Sequence, residues 1–521
     1  MDSTPSASGP IKPAIMVAVL ACILVAVIIQ RVLRVAHDPR EPPLIPTRLP
    51  IFGHALGMYR HGKQYFQMID QKYGYDIYTL GLPGIKQYVV TGPAMVAAVN
   101  RQGKSIAFRP LIIDFVKSSF QLDEQSHSIN KKNLYDEEGK GLLTENHDLF
   151  YKLLPSGPAL DELCQTIVDG VALKLNSLGP KETVDLNKFS KDLIGFLSAR
   201  AFWGPENIME KDTTLLSAFW DVEEAQKVLG LGTLSYLIAP KACFGRARLR
   251  TAMENYFEQG HWRSASTLIR ERTMIHFARG YTAKMMARAD MGLLLGTTPN
   301  AARTLVWFLS YLFANPDIVP EIRAELIDSG AIGLAADGKT ATVDVHALRF
   351  SCPLYNSTLR EVLRLVTPTS SMRIVREDLV LADQYLLRKG ALCLVEGGLL
   401  HTKPSIWGED AHAFNPRRFL KHANGELTDG SGKKVHPAAL RIWGGGEVVC
   451  PGRFLATIEI LGIAAPLIVG WNFEREGGGK FRVPKPRDDV VPVATYDPGE
   501  DVRASLIKRE DWNHVSWQYK V

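Results

Sequence analysis

Cysteine is scarce in this chain. Six occur in 521 residues, at Cys22, Cys164, Cys243, Cys352, Cys393 and Cys450, and no two form a Cys-x-x-Cys pair. That excludes a disulfide framework and places the body of the protein in a reducing compartment. An excess of either charge is also missing. Sixty-one basic residues stand against 55 acidic ones, a formal net charge of +6, and no dense Lys/Arg block occurs. Nucleic-acid binding is therefore not indicated, whereas a weakly basic surface suits an anionic membrane or an acidic protein partner. Internal repeats and low-complexity tracts are absent. Gly477-Gly478-Gly479-Lys480 lacks the spacing of a phosphate loop and reads as a surface turn. Hydrophobic residues at 46% and charged residues at 22% are ordinary for a globular protein.

One long apolar run is present, and it lies at the N-terminus. Pro13 to Ile29 is apolar throughout, 17 residues, or roughly 25 Å of helix at about 1.5 Å per residue. Gln30, Val32 and Leu33 extend it, with Arg31 snorkelling toward headgroups. Arg31, Arg34 and Arg40 follow the run and only Lys12 precedes it, so the positive-inside rule puts the body on the cytosolic side. A cleaved signal peptide would need a basic start and a small-residue cleavage site. The start holds only Asp2 and Lys12, and the core runs into Gln-Arg-Val-Leu-Arg. The reading is an uncleaved anchor over 13–33 behind a tail of 1–12. A proline cluster then forms a semi-rigid hinge over 34–53, and the body is 54–521.

Within the body, Tyr75 to Leu82 and Ile85 to Thr91 read as strands. Pro93 to about Thr340 is mostly helical in pattern. Arg109 to Lys140 is polar and reads as an irregular loop over a site. From about Arg373 the chain shortens into strands and turns, with a β-like piece near Val490 to Ala494. The predicted fold class is mainly α with a minor β region, one large helix-rich domain behind a membrane helix.

The segment Trp443-Gly444-Gly445-Gly446-Glu447-Val448-Val449-Cys450-Pro451-Gly452-Arg453 carries chemistry. A cysteine follows a glycine-rich turn and precedes the apolar run Phe454 to Val469, which reads as a helix. Its free N–H groups and dipole favour an anionic sulfur. A single thiolate is one way of holding haem iron; a buried, inert cysteine is the plain alternative. Upstream, Glu361 and Arg364 share a helix face at i, i+3, which alone is most often a routine ion pair. Phe414-Asn415-Pro416-Arg417-Arg418-Phe419 lies between them and the cysteine. The order of the three segments is far more specific than any one.

On these motifs the chain resembles the cytochrome P450 family of haem-thiolate monooxygenases, over essentially its full length. The resemblance implies the cytochrome P450 fold and haem b, with Cys450 as axial iron ligand. Trp443 stands where the family usually has Phe and would shield the sulfur. Gly446 would admit the backbone close to the haem. Glu361, Arg364 and Arg418 would form a buried triad holding the thiolate loop, and Arg373 resembles the arginine that pairs with a haem propionate. The implied partners are NADPH–cytochrome P450 reductase, the membrane and a lipophilic small molecule such as a sterol, terpenoid or other secondary metabolite. The implied location is the endoplasmic reticulum membrane, with a single-pass anchor and the catalytic domain cytosolic.

The chain departs from the family pattern in places. Most members carry an acid followed by threonine in the helix over the haem, and here Pro299 and Asn300 stand in those places. Proline should kink that helix. Asn300 donates and accepts hydrogen bonds but is no ordinary acid; it is the candidate catalytic residue. Asn300, the nine-residue spacing from Arg364 to Arg373 and Trp443-Gly-Gly-Gly resemble the branch of sterol 7α- and 12α-hydroxylases and prostacyclin synthase. Val448 replaces a residue that often meets a propionate, and no arginine lies between Arg109 and Arg200. Propionate pairing then falls to Arg373 and to a lysine or histidine, Lys152 among the candidates. Besides a monooxygenase, the readings open are a haem-thiolate isomerase or peroxide-rearranging enzyme that needs no reductase, and a non-catalytic lipid-binding protein.

Overall fold

A computed structural model describes residues 35–47, 49, 52–420, 427–429, 431–487 and 494–521. The anchor segment 13–33 lies outside the described residues, as do 490–493 of the late β-like piece. Of the hinge, 35–47, 49, 52 and 53 are described. They are tied to the body: Ile45 N donates to Thr79 O at 3.0 Å, and Ile45 O meets Nε2 of the buried His54 at 2.9 Å.

The two alternating stretches after the hinge are strands, Ile77–Leu82 (β1) and Ile85–Val90 (β2), antiparallel with Ile77 opposite Val90. Their sheet is completed by Ile106–Ala107 (β3), Ser371–Val375 (β4) and Leu392–Val395 (β5), in the order β1-β2-β5-β4-β3. β5 runs parallel to β2 and antiparallel to β4, with Cys393 between Tyr88 and Arg373. A parallel pair needs a crossover, and here it spans some three hundred residues of mostly helical chain.

The helices that frame the site are Pro93–Arg101 (α1), Arg109–Phe120 (α2), Glu124–Lys131 (α3), Leu142–Leu153 (α4), Pro158–Asn176 (α5), Leu186–Trp203 (α6), Thr214–Glu224 (α7), Pro240–Glu258 (α8), Ala283–Thr297 (α9), Pro299–Ala314 (α10), Pro353–Val366 (α11), Gly397–Thr402 (α12) and Arg453–Gly470 (α13). Proline sits in the first turn of α1, α2, α5, α8, α10 and α11, where its missing N–H costs nothing and its fixed φ suits the helix. α11 has its first N–H groups capped from outside: the Glu325 carboxylate accepts from Leu354 N and Tyr355 N, both at 2.8 Å.

The loop expected over Arg109 to Lys140 is irregular only over 121–123 and 132–140; α2 and α3 occupy the rest. Its polar composition hid a helical period, in which Ile113, Val116 and Phe120 lie at i, i+3, i+7. Phe120 and Val116 turn toward α9, within 4 Å of where a Cβ on Gly292 would stand. Gln121 ends α2 in the left-handed region at φ 56, and Asp123 caps α3 by accepting from Ser126 N at 2.8 Å.

α13 is the helix that follows Cys450. Leu455 and all of Ile458 to Gly470 are buried, and it packs on α5 and α10. Among the described residues it alone is long and apolar enough to cross a membrane, yet it forms the protein core. Length and apolarity arise here from burial on all sides. One charged residue, Glu459, is enclosed with it at 3% exposure.

Candidate functional site

The loop before α13 folds around its glycines. Gly444 and Gly446 have φ of 81 and 62, a region that a Cβ disfavours. A Cβ on Gly444 would collide with Val448 O, and one on Gly446 would lie 2.7 Å from Asn100 Oδ1 on α1. Cys450 N closes the loop by donating to Trp443 O at 2.8 Å. α13 begins without a side-chain cap, so its first N–H groups are free, and those of Gly452 and Arg453 hydrogen-bond the Cys450 thiol. Burial pushes that thiol up; these N–H groups and the Arg453 charge oppose the shift. Cys164, Cys243, Cys352 and Cys393 are buried, whereas Cys450 keeps partial access. Trp443 is half-buried against the core. Gly446→Ala is expected to cost about 1–3 kcal/mol, because both the φ and the Asn100 contact resist a side chain. A thermal shift of the purified variant checks it, and an unchanged midpoint would refute it.

Glu361 and Arg364 are paired in two bonds, Arg364 Nε to Oε2 and Nη2 to Oε1, each 2.8 Å. Arg418 Nε donates to both oxygens of the same carboxylate at 3.1 Å. All three side chains are at most 1% exposed. Arg364 Nη1 also donates to His401 O and Ala411 O, and Arg418 pairs with Asp410 at 2.8 Å. Ser357 on α11 donates to Pro416 O at 2.6 Å and accepts from Phe419 N at 3.0 Å. The Pro-Arg-Arg-Phe segment is thereby sutured to α11. The cluster reaches the cysteine loop through His401 on α12, whose Nε2 accepts from Arg441 N at 2.8 Å. Burial and the Arg364 and Arg441 charges hold the His401 pKa down to about 3, so the ring is neutral at neutral pH with its proton on Nδ1.

Arg373 on β4 is 1% exposed, and so is Arg441, which sequence reasoning missed. Arg373 Nη2 donates to Asn100 Oδ1 at 2.9 Å and to Gly445 O at 3.2 Å, while its Nε has no partner. Arg441 Nη2 donates to Ser371 Oγ at 3.3 Å, and its Nε also has no partner. A Cβ on Gly445 would run into the Arg441 guanidinium. Burial lowers the pKa of both; for Arg441, burial and the neighbouring Arg373 charge bring it to about 10. The only trace of Arg441 in the sequence is a lone cation between Leu440 and Ile442, a pattern that equally describes an exposed strand residue. Lys152, the candidate from sequence, is turned away: its side chain is 70% exposed and lies 3.8 Å from Glu271.

At Pro299, where a kink is expected, the long helix is broken outright. α9 ends at Thr297, Thr298 takes φ −108 and ψ −54, and α10 starts at Pro299. Gly292, Gly296 and Asn300 follow one another at four-residue spacing, and nothing lies within 4 Å of a Cβ on Gly296. The Asn300 side chain is exposed, with Oδ1 accepting from Thr495 N at 3.4 Å. One face of α10 grips the segment 495–497. Beyond Asn300, Arg303 pairs with Asp497 at 2.5 Å and Trp307 Nε1 donates to Tyr496 O at 2.8 Å. Arg303 also holds Glu223 of α7 at 2.7 Å.

A partly accessible thiol at a helix N-terminus, a glycine cradle that side chains would fill, and two buried guanidiniums with unpartnered Nε atoms fit a haem, whose iron takes a thiolate and whose propionates need cations. The comparisons agree. The family model described as Cytochrome P450 matches residues 267–490. The chain is 26% identical to the cytochrome P450 monooxygenase nodJ of Hypoxylon pulicicidum, over 94% of each chain. It is 28% identical to a cytochrome P450 monooxygenase of Gibberella zeae, over 98% of this chain and 96% of that one. It is 24% identical to 5-beta-cholestane-3-alpha,7-alpha-diol 12-alpha-hydroxylase of Sus scrofa, over 94% of each. Residues 267–490 thus carry a cytochrome P450 domain, and the likeness to named P450 relatives runs over nearly the whole chain. The protein is an oxidoreductase of the monooxygenase kind with haem, iron protoporphyrin IX, as cofactor.

Proposed function

We propose that residues 54–521 form a haem-thiolate domain that inserts one oxygen atom from dioxygen into a lipophilic substrate, a sterol, terpenoid or other secondary metabolite. Electrons come from NADPH through a cytochrome P450 reductase. Cys450 is the iron ligand, and the bound haem supplies oxygen activation, which a thiolate ligand favours. The observation that carries the reading is the Cys450 loop itself, with its free N–H groups, locked by Trp443 O and braced through His401 against Glu361, Arg364 and Arg418. The triad holds the loop in place, Gly446 keeps its surface low, and Trp443 flanks the sulfur. Arg373 meets one propionate. Asn300, exposed toward open space beside Gly296, orients substrate or a water by hydrogen bonds.

The anchor 13–33 and hinge 34–53 place the domain on the cytosolic face of the endoplasmic reticulum membrane. The exposed apolar side chains Tyr236, Leu237, Ile238 and Phe244 support contact with lipid. Fungal relatives named as monooxygenases and the sterol hydroxylase support the substrate class.

Pro299 and Asn300, in place of an acid and an alcohol, favour a second reading, rearrangement of a peroxide without reductase. One experiment separates the two. The reduced, CO-treated protein is expected to show the red-shifted Soret band of thiolate ligation, and turnover of a lipophilic precursor is expected only with NADPH, reductase and dioxygen. Turnover of a hydroperoxide with none of these would select rearrangement, and a CO complex without the red shift would remove Cys450 as ligand.

A further inference from the structure

We propose that Arg441 is the second propionate anchor of this chain, and that His401 is the positioning residue that sets it. The assignment rests on the haem-thiolate reading above. Two guanidiniums, Arg373 and Arg441, lie side by side at 1% exposure each. Neither has a carboxylate within salt-bridge distance among the described residues, and each keeps an Nε without a partner. Among the other described arginines at 2% exposure or less, Arg364 is neutralised by Glu361, whereas Arg246 stands alone and is met by the carbonyls of Ser119 and Leu229; only Arg373 and Arg441 put two such charges together. A buried charge without counterion is among the costliest arrangements in a protein interior. Two of them adjacent call for an anion that arrives with a ligand. A haem carries two carboxylates, and the fork of a guanidinium matches a carboxylate.

The placement agrees. Ser371, which accepts from Arg441 Nη2, precedes Arg373 by two residues on β4, so both project from the same face of the strand. Arg441 and Arg373 therefore converge from the cysteine loop and the sheet on one spot beside Gly445. The position two before the cysteine, where relatives often supply a cation, is Val448, and Lys152 on α4 faces Glu271. Arg441 makes good that loss from nine residues before the cysteine. Its backbone is fixed by His401, which burial and the two arginine charges keep neutral; only the neutral ring can accept the Arg441 N–H. The same residue gives its backbone carbonyl to Arg364, so His401 ties the propionate cation to the Glu361 cluster.

The test uses the full-length holoenzyme and the rate at which haem passes to excess apomyoglobin. Arg441→Met is expected to retain the thiolate Soret signature with CO while releasing haem about 10- to 100-fold faster, the loss of one charge-assisted contact. Arg441→Lys should lie between. His401→Leu should speed release by a smaller factor, and the His401→Leu, Arg441→Met pair should be no faster than Arg441→Met alone. Reconstituted with haem dimethyl ester, which has no propionate charge, wild type and Arg441→Met should release at the same rate. Unchanged release in Arg441→Met, or an acceleration equally large with the diester, would overturn Arg441 as the anchor. Additive effects in the double variant would overturn the role of His401. A wild type lacking the thiolate signature would overturn Cys450 and this assignment together, whereas a variant that keeps the signature and releases haem at the wild-type rate removes Arg441 alone.

Discussion

Glu361→Ala is expected to destabilise the protein by about 3–5 kcal/mol and to strip it of haem. The carboxylate accepts two bonds from Arg364, two from Arg418 and one from Asn415 N at 3.0 Å. Its removal leaves Arg364 with carbonyls alone and Arg418 with only Asp410, in a region that water does not reach. The loss propagates along a defined path. Arg364 also ties down His401 O and Ala411 O, and His401 holds Arg441 N, so the cysteine loop loses its brace. Equilibrium denaturation with haem absorbance as a second probe measures both effects. Glu361→Gln, which keeps the shape and two acceptor sites, should cost less. A loss under about 1 kcal/mol for Glu361→Ala, the value for an ordinary surface pair, would show that the cluster does not brace the loop.

The second large effect concerns a group that touches nothing in the proposed chemistry. Glu459 sits inside α13, and burial raises its carboxyl from the ordinary 4.5 to about 8, with Ser198 the one hydrogen bond acting against the shift. Its Oε1 has no partner. In the folded protein the side chain is neutral up to about pH 8, whereas in the unfolded chain it ionises near 4.5. The stability it allows is therefore complete below about pH 4.5, falls as pH rises, and is lost once pH passes about 8. Each unit of the window is worth about 1.4 kcal/mol, so the total is about 3–5 kcal/mol. Glu459→Gln does not titrate. Its stability relative to wild type is expected to climb from pH 5 to pH 8 and then level off, whatever constant offset the amide introduces. Parallel stability–pH curves for the two proteins would show that Glu459 is hydrated and ionised in the fold.

The largest structural misreading from sequence lay where composition and period disagreed. Residues 109–131 are rich in polar side chains, and only the spacing of Ile113, Val116 and Phe120 betrays the helix that closes over α9. A disturbance at Pro299 was legible as a kink, because proline acts locally: it removes one N–H and crowds one carbonyl, whatever surrounds it; the structure ends one helix there and starts another. The apolar run after Cys450 was legible as a helix. Its place at the centre of the fold was not, since hydropathy cannot distinguish burial in protein from burial in lipid.

Local chemistry is what the sequence by itself determined: a cysteine at a helix N-terminus behind glycines, Glu361 and Arg364 on one helix face, and an arginine-rich segment between. Each depends on residues within a turn or two of one another, where spacing sets geometry. Tertiary structure alone decided which distant groups meet. Arg418 joins Glu361 across 57 residues, Arg373 reaches Asn100 across 273, and Arg441 hangs from His401 across 40. A sequence shows that an arginine is present but not whether water surrounds it, and the cost of a charge depends almost wholly on that surrounding. For this reason Arg441, unremarkable between Leu440 and Ile442, became a candidate anchor only once the fold had enclosed it beside Arg373 without a counterion.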